Sequence, residues 1–210
     1  MKKTTIIVLM LFISALGKAT INKSVNIAIP GTLSSVLTAN EKSTITNLTV
    51  TGTLDARDYK TMRDSMTNLK YIDLSNSTVS GYTGDNGTAG SSQTYPANLI
   101  PYEAYWSTTF NTVKLPSLIT EIEHNTFYMG EINSVTIPST VTKIGYSAFM
   151  NCIGLTDIIL PSSLTQIDDA AFQNCESLQS IIIPPSVTTL GPAIFGYCGQ
   201  LRNITLHFYD

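Results

Sequence analysis

The sequence predicts an α/β solenoid, with short parallel strands on one face and helices or irregular turns on the other. Residues 137–159, 160–182 and 183–205 read IPSTVTKIGYSAFMNCIGLTDII, LPSSLTQIDDAAFQNCESLQSII and IPPSVTTLGPAIFGYCGQLRNIT, three versions of one 23-residue unit. Phe149, Phe172 and Phe195 keep that spacing, as do Cys152, Cys175 and Cys198. A fixed period of this length belongs to units too small to bury an apolar face alone, which must stack on their neighbours. A second observation is the set of apolar pairs Val25 and Ile27, Leu48 and Val50, Ile72 and Leu74, spaced 23 and then 24 residues apart. Residues two apart in a strand face the same side, so each pair points to the core while Asn26, Thr49 and Asp73 point outward.

Residues 1–19 have the three parts of a secretory signal peptide. Lys2 and Lys3 precede an apolar run from Ile6 to Ser14, and small residues Ala15, Gly17 and Ala19 follow. The run is shorter than the roughly 18 to 20 residues that cross a bilayer, so no transmembrane span is expected here. No cysteine follows it, which excludes a lipid-modified N-terminal cysteine. A secreted or cell-surface location is expected, with the leader removed.

Residues 20–78 read as an N-terminal cap and irregular repeats. A short helix is expected from Thr32 to Ala39, over the first rung. A longer one follows Asp55, a good helix-capping residue, with Tyr59, Met62 and Met66 at i, i+3 and i+7. Residues 79–98 carry four glycines among serine, threonine and asparagine, and read as an inserted surface loop that is mobile and dispensable for the fold. From residue 99 to 210 the repeat resumes. Ile100, Tyr105, Phe110, Val113 and Leu115 each stand 22 residues before Ile122, Phe127, Ile132, Val135 and Ile137, and Met129 takes the cysteine position of its unit. Leu206 closes the last strand with no capping unit in view, which raises self-association through that rung as an expectation.

LKYIDLS at residues 69–75 has the L-x-x-L-x-L shape. The motif L-x-x-I-x-[IL]-P-x-x-[VL]-T-x-[IL]-x-x-x-[AI]-F-x-x-C, read from Leu155 and again from Leu178, resembles the BspA-type leucine-rich repeat of bacterial surface and secreted proteins. The resemblance implies a right-handed leucine-rich-repeat solenoid, secretion or surface display by host-associated bacteria, and adhesion to host or bacterial macromolecules.

Composition narrows the function. Only 13% of residues are charged, the net charge is −3, and no lysine or arginine run occurs beyond the leader. Nucleic acid, which needs a basic footprint, is not an expected partner. The three cysteines follow the repeat, so they form one column of buried, reduced thiols rather than a disulfide or metal site. His124 and His207 have no ligand-like neighbours, and the adjacent Asp168 and Asp169 fit a solvated turn. No catalytic, metal or cofactor-binding set can be assembled, and an enzyme is not expected. Asn47, Asn76, Asn86 and Asn203 begin N-x-[ST] sequons, relevant only in a glycosylating pathway.

What remains is the outward strand face. Its central column reads Asn26, Thr49, Asp73, Lys114, Thr136, Ile159, Ile182, Thr205. The candidate ligand-binding residues are Thr136, Asp157, Ile159, Ser180, Ile182, Asn203 and Thr205, with Ile159 and Ile182 as an apolar patch on an otherwise polar column. The expected partner is a protein, such as a host matrix component or mucin. A structural, self-associating segment is the first alternative. A carbohydrate-binding module is the second, supported by Tyr82, Tyr95 and Trp106 as exposed aromatic residues.

Overall fold

The computed structural model describes residues 19–206, so the leader through Lys18, together with His207, lies outside the described residues. β1 (Asn22–Ile27), α1 (Leu33–Val36), α2 (Ala39–Thr44) and β2 (Asn47–Leu54) form the first coil. α3 (Ala56–Ser65) returns the chain to β3 (Tyr71–Asp73) and β4 (Ser77–Val79), and a hairpin of β5 (Tyr82–Gly84) and β6 (Gln93–Tyr95) follows. The regular coils then supply β7 (Leu99–Ile100), β8 (Thr112–Lys114), β9 (Glu121–Ile122), β10 (Ser134–Thr136), β11 (Lys143–Ile144) and β12 (Gln166–Ile167). β13 (Ser180–Ile183), β14 (Thr189–Leu190) and β15 (Asn203–Leu206) complete the described chain.

Two parallel ladders run along the solenoid. One has the order β1-β2-β3-β8-β10 with β4 beside β2, the other β14-β12-β11-β9-β7, and β13 pairs separately with β15. β3 pairs directly with β8, placing Ile72 against Val113 and Asp73 against Lys114. The sheet therefore continues past the insertion as though it were not there.

α3 forms where the sequence placed it. The Asp55 carboxylate accepts from the Arg57 amide at 2.9 Å, Asp58 reaches back to the Asp55 amide, and Tyr59, Met62 and Met66 are buried. The single helix expected from Thr32 to Ala39 is instead two. Leu37 is extended, and Thr38 begins a second helix through a capping box with Glu41. Thr32 makes no side-chain cap. The buried Asp58 carboxylate accepts from the Gly31 and Leu33 amides at 2.7 and 2.9 Å, tying the first loop to α3.

The second helix also lengthens the first coil to 25 residues, so Val25 pairs with Val50 and Ser24 with Thr49. Ser24, not Asn26, is thus the first member of the outward column. Asn26 pairs with Thr51, and Ile27 with Gly52. A Cβ on Gly52 would lie 2.2 Å from the Ile27 carbonyl oxygen, and its φ is +89°.

In the regular coils, two residues per turn adopt left-handed backbone: Glu103, Asn125, Ser147, Ala170 and Ala193 in one column, Ser107, Met129, Asn151, Asn174 and Tyr197 in the other. L-residues seldom adopt this conformation, and here the rungs hold it in place. The amides of Asn125, Phe127 and Met129 donate to the carbonyls of Tyr146, Ala148 and Met150 on the next rung, and the following coils repeat the pattern. This corrects the position of Met129, which is exposed and stands in the left-handed column with Asn151. Gly130 occupies the cysteine position, its amide bonding to the Phe127 carbonyl as that of Cys152 bonds to Phe149. The 22-residue period in this part of the chain shifts the column by one residue relative to the 23-residue units.

The core is a continuous stack. Tyr105, Phe127, Phe149, Phe172 and Phe195 follow one another with ring centroids 4.9 to 5.9 Å apart. All three cysteines are free. Cys152 and Cys175 are buried and Cys198 is half-buried, so full burial holds for two of the three. Each thiol donates to a phenylalanine carbonyl one rung back: Cys152 to Phe127, Cys175 to Phe149, Cys198 to Phe172, at 3.1 to 3.2 Å.

The insertion is a folded hairpin rather than a mobile loop. Tyr95 is buried, stacks on Tyr102 at 4.9 Å, faces Tyr82 at 6.1 Å and accepts from the Ala89 amide at 2.8 Å. Thr88 donates to the Tyr102 carbonyl at 2.6 Å, and the Arg57 guanidinium sits 4.7 Å from the Tyr82 ring centre. Glycines at positions 81, 84, 87 and 90 favour a turn, but Tyr82 and Tyr95 anchor it.

Candidate binding face

Strand alternation fixes which side chains reach solvent between β10 and β15. Ile158, Leu160, Ile181 and Ile183 are buried, so the residues between them must face outward. Ile159 is 79% exposed and Ile182 is 60% exposed. Thr136, Asp157, Ser180, Asn203 and Thr205 are exposed as well.

The rung at 157–160 carries the strand pattern without joining either neighbouring ladder. β10 ends the first sheet before it, and β13 begins the next pair after it. A cleft lies on each side. One, of about 450 Å³, is lined by Asp157, Ile159, Ser180, Ile182, Pro184 and Pro185. The other, of about 400 Å³, is lined by Asn133, Thr136, Thr156, Asp157, Ile159 and Pro161.

Ile159 thus forms a ridge between two clefts, and four of the other six sequence-predicted residues, Thr136, Asp157, Ser180 and Ile182, line them. Asn203 and Thr205 lie one rung further on, paired with Ser180 and Ile182. At the N-terminal end of the same face the character is ionic, with Lys114 3.2 Å from Asp73. Burial acts to raise the Asp73 pKa, but the hydroxyl and amide of Ser75, with Lys114 and Tyr71, outweigh it and hold the group at about 2.

Other candidates separate in space. His124 stacks on Tyr102 at 4.7 Å, and its Nδ1 lies 3.4 Å from Glu123. Asp168 accepts from Gln166 at 2.6 Å and faces Lys143 at 3.5 Å, while Asp169 is exposed. Among the described residues no three His, Cys, Asp or Glu side chains gather as a metal site, and no helix is long and apolar enough to cross a membrane. The three aromatic residues do not form a common surface, because Tyr95 is buried in the hairpin and Trp106 lies elsewhere. The proline-lined clefts escape a reading by columns, although the prolines closing each strand, Pro138, Pro161 and Pro184, were visible in the repeat.

Stacked parallel rungs, apolar columns at a 22- to 23-residue period and a polar outward strand face define a leucine-rich-repeat solenoid. The BspA type leucine rich repeat region matches residues 98–208 in six copies, and the chain belongs to this family. No curated protein matches it. Among solved structures it is similar to a leucine-rich repeat protein from Bacteroides ovatus, with 29% identity over 60% of this chain and 32% of that one, and a TM-score of 0.49. It is also similar to a leucine rich repeat protein of T. pallidum, with 25% identity over 52% of each chain and a TM-score of 0.47. A leucine rich cell surface protein from Faecalibacterium prausnitzii gives 21% identity over 78% of this chain and 54% of that one, at a TM-score of 0.41. The chain spans 32% and 52% of the length of the first two.

Proposed function

We propose that this protein is a secreted or cell-surface recognition module that binds a protein ligand through the strand face around Ile159 and Ile182. One observation carries the reading: two large apolar side chains face water on consecutive rungs, beside clefts, where alternation leaves the core no use for them. An apolar centre surrounded by Thr136, Asp157 and Ser180 has the make-up of an interaction surface with a polar rim. The leader-like composition of residues 1–19 supports export, and the repeat family supports a role in recognition rather than catalysis. Cross-linking capture with the exported chain, followed by mapping of the cross-linked peptides, tests it. Cross-links concentrated at residues 134–137, 157–162 and 180–185 support the strand face. Cross-links confined to the outer turns refute it.

A further inference from the structure

The outer turns of the coils carry a second set of large side chains, most of them aromatic, outside the central ring stack. Tyr102, His124 and Tyr146 recur at 22-residue spacing, as do Trp106, Tyr128 and Met150. Between these two rails run the left-handed residues Glu103, Asn125 and Ser147. The stack of Tyr105, Phe127 and Phe149 already fills the interior beneath them. Tyr102 carries Tyr95 of the hairpin and His124 stacks on Tyr102, but among the described residues Trp106, Tyr128 and Tyr146 make no ring contact. Trp106 is 45% exposed and Tyr146 is 53% exposed. Together they border an open groove of about 290 Å³ whose floor includes Glu103 and Asn125.

We propose that this groove binds a neutral oligosaccharide, whose sugar rings stack on Trp106, Tyr128 and Tyr146 while their hydroxyls bond to Glu103 and Asn125. Aromatic faces suit the C–H-rich faces of pyranose rings, being apolar yet compatible with a wet site. The side chains of Glu103 and Asn125 make no hydrogen bond or ion pair with the rest of the described chain. A carboxylate accepts from paired hydroxyls, and an amide both donates and accepts, which is the mixture a sugar presents. The residues span three rungs, roughly 10 Å at the usual inter-strand spacing, enough for a short oligosaccharide rather than a single ring. The carboxylate on the floor disfavours anionic sugars. The nearest guanidinium, Arg63, donates to the Glu103 carbonyl and is held by Asp64 at 2.6 Å, so it does not offset that charge. A proline-rich peptide would use the aromatic walls but has no N–H or hydroxyl at its prolines for the carboxylate to bind.

The groove shares no residue with the clefts beside Ile159, so the site does not depend on the protein-binding reading. Trp106 is the single tryptophan, which lets fluorescence of the full chain report on the groove directly. The probes are cellohexaose, laminarihexaose, mannohexaose and xylohexaose, with an oligogalacturonate and a polyproline peptide as competitors of other classes. At least one neutral hexaose is expected to shift Trp106 emission and shield it from acrylamide. By calorimetry, Tyr146→Ala and Glu103→Gln should weaken that binding by about tenfold or more at unchanged melting temperature. The proposal is overturned if no neutral hexaose shields Trp106, or if only the acidic sugar or the polyproline peptide does. It is also overturned if Trp106→Ala binds the shielding sugar as tightly as the parent chain.

Discussion

Phe149 and Phe172 stack nearly parallel, ring centroids 5.2 Å apart and planes 5° from alignment, at equivalent positions of consecutive rungs. Each rung therefore rests on its neighbour's ring, and Phe172 is fully buried between Phe149 and Phe195. Replacing Phe172 by alanine should cost roughly 3 to 5 kcal/mol, the range for deleting a buried aromatic side chain. Chemical denaturation of the parent and variant measures it. A loss below about 1 kcal/mol, typical of surface substitutions, would contradict a stacked core.

The thiols should react in order of exposure. Burial pushes Cys152 up to about 12 and raises Cys175 and Cys198 as well, and Cys198 is the least buried. Thiolate is the reactive form, so iodoacetamide at pH 8 should label Cys198 first and the other two only on unfolding. The unfolded chain loses these protons near the ordinary thiol value of about 8.5 and the folded chain at higher pH, so stability should fall as pH rises from about 8.5 towards 12. Mass spectrometry of time-resolved labelling checks the order, and equal rates at all three would refute it.

Asp73 contributes to stability in acid. Its folded pKa of about 2 lies below the ordinary value of about 3.9, so its contribution is complete above pH 4 and is lost as pH falls towards 2. Asp73→Asn should reduce the acid sensitivity of melting in this window while lowering stability at pH 7. An unchanged pH profile would remove Asp73 from the account.

Tyr95 should anchor the inserted hairpin. Tyr95→Ala removes a buried ring stacked on Tyr102 and should destabilise by roughly 3 to 5 kcal/mol. Shortening the tip between residues 85 and 92 should cost far less, and limited proteolysis should cut there first. Equal tolerance of both changes would mean that the hairpin is not docked.

Much of the fold was legible because a repeat states its core several times. The phenylalanine and cysteine columns, α3 and the outward direction of Ile159 all follow from spacing and alternation. The first coil was misread where T-A-N-E at residues 38–41, a capping-box pattern, adds a helix and moves the register by two residues. Met129 was misplaced because one residue is missing from its unit and left-handed backbone leaves no apolar signature. In the insertion, glycine frequency masked tertiary anchoring by Tyr95. The clefts beside Ile159 depend on how far neighbouring rungs separate, a distance that periodicity does not encode.

The most direct test of the recognition reading compares the parent chain with the Ile159→Lys, Ile182→Lys double variant in calorimetric titration against the captured protein. Both residues face water, so melting should shift by no more than about 1 kcal/mol in stability. Affinity should fall by about a hundredfold or more if these side chains form the centre of the interface. Unchanged affinity in a normally folded double variant would contradict binding through this strand face.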